Sequence, residues 1–226
     1  MGSDSIWSDS IWWAEQLIES DPIGSNLGTQ EEHPVTQEQV ISRFRERGAL
    51  LEGHFRLSSG LHSPNYLQCA LVLQHPADAE ACGRAVAAKL PGLAPSVVLS
   101  PALGGLIIGH EVARALGVRA IFAERADGVL TLRRGFSLDA SDRVVIVEDV
   151  LTTGGSTRET LDVARQWGAT VVAAAAVINR SGSASPVDVP FAALAEFSPP
   201  TYKPDACPLC AQGLPVVKPG SRPGQL

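Results

Sequence analysis

Between residues 96 and 180 the apolar positions fall in short unbroken runs. SVVLS (96–100), RAIFAE (119–124), RVVIVED (143–149) and TVVAAAAVINR (170–180) each have the length and β-branched content of a buried strand. Between them, GLIIGHEVARALG (105–117) and the stretch from Ser156 to Trp167 carry apolar residues at helical spacing, and TLRRGFSL (131–138) has the pattern of a hairpin. Continuous apolar strands alternating with helices predict an α/β fold, with a central, mostly parallel sheet covered by helices on both faces. Ligands of such sheets bind at the carboxyl ends of the strands.

Upstream, Thr36 followed by Gln39 fits a capping box, and Val40, Ile41 and Phe44 form a helical stripe ending near Gly48. Residues 54–73, HFRLSSGLHSPNYLQCALVL, read as two strands joined by a polar loop, and a helix runs from Pro76 to the Pro91-Gly92 stop. Residues 1–34 are different: a near-duplicated SDSIW, three of the four tryptophans and no basic residue. They read as a disordered extension, native or added to the natural chain, ahead of one domain at 35–226.

Composition narrows the function classes. A chain of 226 residues that is 45% hydrophobic with a formal charge of −6 is suited to small ligands rather than nucleic acid. It contains no long apolar run and no secretory signal pattern, which predicts a cytoplasmic protein with no membrane partner. Cys207 and Cys210 form a lone C-x-x-C that lacks the second ligand pair of a structural zinc site in sequence, so a structural or incidental role is expected.

The unusual residues cluster at the predicted carboxyl ends: SPALGG (100–105), ERADG (124–128), EDVLTTGGST (148–157) and Asn179-Arg180. In the third, Gly154 and Gly155 permit a tight turn, while Thr152, Thr153, Ser156 and Thr157 add hydroxyl donors to the exposed amides of a helix N-terminus. Together these would cradle a phosphate monoester. Two carboxylates beside a phosphate would repel it, so Glu148 and Asp149 are read as acceptors for the hydroxyls of a phosphorylated sugar. The loop is neither a Walker A nor a dinucleotide-binding fingerprint.

VVIVEDVLTTGGST (144–157) resembles the phosphoribosyl diphosphate (PRPP) motif of type I phosphoribosyltransferases, and HFRLSSGLHSPNYLQCALVL resembles the N-terminal hood of orotate phosphoribosyltransferases, matching at Phe55, Leu57, Ser59, Gly60, Ser63 and Pro64. The resemblance spans residues 36 to about 200, with a hood mainly at 36–75 and a tail from about 198 to 226. It implies transfer of a phosphoribosyl group from PRPP to orotate in pyrimidine biosynthesis, with Mg2+, by a homodimer. By this resemblance PRPP would be held by Glu148, Asp149, Val150, Leu151, Thr152, Thr153, Gly154, Gly155, Ser156 and Thr157, with Ala102, Leu103 and Gly104 presenting amides to the diphosphate. Orotate would be held by Arg180, Thr152, Ser59, Gly60 and Tyr66. Mg2+ would be bound mainly through substrate oxygens, with Asp149 as a candidate protein ligand. Glu148, Asp149 and Arg125 are the candidate catalytic residues.

Many relatives place lysines in the hood loop, the diphosphate loop and a long mobile loop, where this chain has Ser58, Gly104 and the short ERADGVLT; its three lysines, Lys89, Lys203 and Lys218, lie elsewhere. Arg125, assisted by Arg133 or Arg134, is the candidate for the diphosphate contact. A purine phosphoribosyltransferase and a PRPP-sensing regulator are the alternative readings.

Overall fold

The computed structural model describes residues 35–57, 59–184 and 186–219. The expectations for residues 1–34, and the comparison at Ser58, lie outside the described residues.

Strand β6 (Arg143–Leu151) is buried on both faces, which requires an apolar side chain at nearly every position. Val145 and Val147 belong to one core with Val98, Val112, Ile108 and Val86, whereas Val144 and Ile146 belong to a second core with Val97, Leu99, Leu161 and Ala164. The first core contains residues of helices α3 (Pro76–Ala88) and α4 (Gly105–Leu116), and the second residues of α5 (Gly155–Gln166). The remaining strands are β3 (Val97–Pro101), β4 (Arg119–Ala126), β5 (Val129–Leu132), β7 (Thr170–Asn179) and β8 (Phe191–Glu196). They lie in the order β5-β4-β3-β6-β7-β8, parallel throughout except for β5 at one edge.

This order sets the position of the ligand crevice. The chain leaves β3 toward β4 on one side, while β6 flanks β3 on the other, so the loops after β3 and β6 diverge at a topological switch point. Those loops are SPALGG and EDVLTTGGST.

Above the sheet, β1 (Leu50–Arg56) and β2 (His62–Leu67) form a separate antiparallel hairpin, preceded by α1 (Gln37–Glu46). The predicted capping box opens α1: Thr36 Oγ1 accepts from Gln39 N and Gln39 Oε1 accepts from Thr36 N. The tail returns to this hairpin, pairing Tyr202 with His62 and Val217 with Phe55 through backbone bonds of 2.8–2.9 Å.

Three local expectations are corrected. The stretch CALVL does not continue β2 but forms a short helix, α2 (Ala70–Leu73), because Cys69, Val72 and Leu73 bury together at the i, i+3, i+4 spacing of a helix. The hairpin is at ERADGVLT rather than TLRRGFSL: Asp127 and Gly128, both at positive φ, join β4 to β5 in a two-residue turn. Residues 133–136 form a turn with Arg134 and Gly135 left-handed. Strand β8, absent from the sequence reading, extends the sheet beside β7.

Candidate active site

A cleft of about 1220 Å³ opens at the switch point, bounded by the hood on one side and the β3, β6 and β7 loops on the other. Its lining includes Ser59, Tyr66, Leu103, Gly104, Asp149, Val150, Thr152, Thr153 and Arg180, so residues spread over 120 positions of sequence meet in one place.

Asp149 is the centre of the arrangement. Its Oδ1 accepts a hydrogen bond from Val150 N at 2.8 Å, which orients the carboxylate. Across the cleft floor the β3–α4 loop comes so near that a Cβ on Gly104 would lie 2.7 Å from Asp149 Oδ1. The glycine therefore lets the backbone of the β3–α4 loop come against the Asp149 carboxylate, and a lysine with this backbone would collide with that group.

Of the two adjacent acids only Asp149 lines the cleft. Glu148 is 8% exposed, and burial together with the charge of Asp149 pushes its carboxyl up to about 9. At neutral pH it holds its proton, so it is not the second anion expected from sequence.

The phosphate loop is shaped by Gly154, left-handed at φ +74 and packed against Arg158. Thr152, Thr153 and Ser156 are exposed at the N-terminus of α5, while Gly154 and Thr157 are buried. Arg158 donates to Thr153 O and to Pro186 O, clipping the phosphate loop to the loop after β7. Asn179 organises that second loop: Oδ1 accepts from Ser181 N and Oγ, and Nδ2 donates to Ser183 O. Arg158 was not singled out in sequence, and Asn179 only as part of the Asn179-Arg180 strand end. Their action is on loop backbones, which only the folded chain reveals.

Arg180 follows directly, its own N–H bonded to Leu151 O at 2.7 Å. Its Nε is buried without a hydrogen-bond partner among the described residues. Burial lowers the guanidinium's pKa, opposed by Tyr66, but from a value so high that the group stays charged. Burial raises the Tyr66 phenol, with Arg180 lowering it and Asp149 raising it again. Tyr66 OH donates to Gln68 Oε1, and Gly60, at φ +83, turns the hood loop so that Ser59 lines the cleft. Cys69 also lines it, and burial holds its thiol protonated.

Arg125 is placed elsewhere. Its guanidinium bonds Gly128 O and pairs with Glu159 on α5 at 2.9 Å, outside the cleft lining. Arg133 and Arg134 both pair with Glu124.

Known proteins resemble this chain in sequence and fold. Residues 71–196 match the phosphoribosyl transferase domain family. The chain is 52% identical over 188 residues to an orotate phosphoribosyltransferase of Pelotomaculum thermopropionicum, covering 83% of this chain and 99% of that one. Its identity to the enzyme of Heliobacterium modesticaldum is 51% over 191 residues, 83% of this chain and all of that one. Among solved structures, the orotate phosphoribosyltransferase of Aeropyrum pernix superposes with a TM-score of 0.61 at 25% identity over 70% of this chain and 93% of that one. An adenine phosphoribosyltransferase from Thermoanaerobacter pseudethanolicus shares the fold at 18% identity and TM-score 0.52, covering 59% of this chain and 88% of that one. With its switch-point cleft, its phosphate loop and relatives matched along nearly their whole length, the chain belongs to the orotate phosphoribosyltransferase family of type I phosphoribosyltransferases.

Proposed function

We propose that the cleft transfers the 5-phosphoribosyl group of PRPP to orotate, giving orotidine 5′-monophosphate and diphosphate, in a cytoplasmic homodimer. The bond from the anomeric carbon to the diphosphate oxygen breaks and a bond to the pyrimidine nitrogen forms, so the site works by positioning and by stabilising charge. Thr152, Thr153 and the amides opening α5 hold the 5′-phosphate, and Asp149 accepts from the ribose hydroxyls. Glu148, protonated and outside the cleft lining, supports Asp149 through their side-chain hydrogen bond, and the backbone of Ala102 to Gly104 receives the diphosphate.

The Asp149 carboxylate beside a phosphate loop fits Mg2+, which takes one or two carboxylates and completes its shell with substrate oxygens. When bound, the ion offsets charge on the departing diphosphate. Arg125, in an exposed ion pair of small net worth, is free to exchange Glu159 for the diphosphate of its own or a partner subunit's substrate.

The observation that carries orotate over another base is Arg180. A charged guanidinium with a buried, unpartnered Nε beside Tyr66 and the hood loop suits a planar carboxylate, which purine bases lack. Absorbance-monitored loss of orotate with PRPP and Mg2+, against a control without PRPP and one with adenine, tests the reaction. No PRPP-dependent loss of orotate, or equal use of adenine, overturns it. Arg180→Ala should raise the KM for orotate about ten- to a hundredfold, the worth of a hydrogen bond to a charged group, and that for PRPP far less. Equal losses would remove the guanidinium from the base site.

A further inference from the structure

The C-x-x-C of the tail acquires in the fold the second ligand pair it lacks in sequence. His54 on β1 and His62 on β2 bring their rings together beneath Cys207 and Cys210, and one ligand atom from each of the four residues lies within 4.8 Å of the others. The geometry points to a structural zinc site, Cys2His2, that fastens the tail to the hood.

Distances, chemistry and surroundings agree. A tetrahedral zinc with bonds of about 2.3 Å to sulfur and about 2.05 Å to nitrogen sets its sulfur and nitrogen ligands about 3.5 Å apart. Here Cys207 Sγ is 3.5 Å and Cys210 Sγ 3.7 Å from His54 Nε2, and Cys210 Sγ is 3.3 Å from His62 Nδ1. The two imidazole nitrogens stand 2.8 Å apart, so seating the ion parts them by about half an ångström toward their tetrahedral spacing. His54 Nδ1 lies 2.8 Å from Leu214 O; donating its proton there leaves Nε2 as a bare lone pair, the tautomer a metal needs and the outer-shell contact that orients a ligand ring. His54, His62 and Cys207 are buried and only Cys210 is exposed, and two thiolates with two imidazoles fill a tetrahedron without an open position. Such a site is structural rather than catalytic, and soft sulfur with imidazole selects zinc over Mg2+.

Its position gives it a task. His54 and His62 bracket the loop that carries Ser59 into the cleft, so the ion would tie the base of that loop to the tail.

Metal content tests this without reference to catalysis, so its failure is separable from failure of the transferase reading. The full chain, produced with zinc in the medium and desalted under reductant, should contain about one zinc per chain by elemental analysis. The Co2+-exchanged protein should show thiolate-to-cobalt charge transfer and the absorption of a tetrahedral ion. Cys207→Ser with Cys210→Ser should abolish both. Cys210→Ser alone, at an exposed position that leaves the core intact, should weaken zinc retention against a chelator by more than the roughly ten- to hundredfold that losing an outer-shell partner costs. A reduced, zinc-reconstituted chain without bound metal, a Cys207–Cys210 disulfide in the protein as isolated, or a double variant that keeps its zinc would overturn the proposal.

Discussion

The carboxyl of Glu148 carries a cost that the folded protein bears for its site. Folded, it keeps its proton up to about pH 9, whereas its ordinary value is 4.5. Between those values the native state binds more protons than the unfolded chain, so this residue's contribution to stability is fully present at the acid end and is lost as pH rises through about 9. Glu148→Gln keeps the shape and removes the titration. Its melting temperature should fall less than the parent's between about pH 5 and pH 9, leaving the variant the more stable of the two in mildly alkaline buffer. Parallel melting curves for the two proteins would place the shift elsewhere. Asp149→Asn is the complementary case, since an amide oxygen can still accept from Val150 N. Turnover should drop by roughly a hundredfold or more while the melting temperature barely moves; undiminished turnover would end the ribose role of Asp149.

At the scale of elements, legibility followed periodicity. The parallel strands, the three long helices around them and the capping box of α1 were readable because buried strands and amphipathic helices leave unambiguous patterns. The short α2 and the edge strand β8 were not, because four to six mixed apolar residues fit either period and only the surrounding core decides. The β4–β5 hairpin was written in Asp127-Gly128, a strong turn signal, but ERADGVLT was read as a short loop and the hairpin was assigned to TLRRGFSL instead. In the site, the loops and Arg180 were legible as chemistry. The protonation of Glu148 and the ion pair of Arg125 were not, since the first depends on how deeply the fold buries the carboxyl and the second on Glu159, 34 residues away. Gly104 joins the two scales. Its backbone, at φ −57 and ψ −41, suits alanine, so Gly104→Ala should leave stability near the parent's, whereas its Cβ would press on Asp149. Turnover should fall about tenfold to a hundredfold through misplacement alone. A destabilised but fully active variant would contradict the close approach seen here.

Over the whole molecule, the sheet and the hood divide the work. In the proposed reaction, ribose and phosphate groups are held at the ends of β3 and β6, on elements locked into two cores, and the base lies against a two-stranded hairpin that is too small to be stable alone. The hairpin is held by α1 beneath it and by the tail along both strands. A chain ended after residue 200 loses Tyr202, Cys207, Cys210 and Val217 and with them that support. It should keep its affinity for PRPP and lose affinity for orotate, as read by calorimetric titration of each substrate; equal loss of both would mean that the tail supports the sheet as well.

That same return of the tail sets an order of events at the ribosome. His54 contacts Cys207 across 153 residues of sequence, so the hood emerges well before the segment that secures it. A nascent chain can assemble its sheet and the loop after β6 while the hood stays unfastened, so on the proposed reading specificity for the base arrives only with the tail.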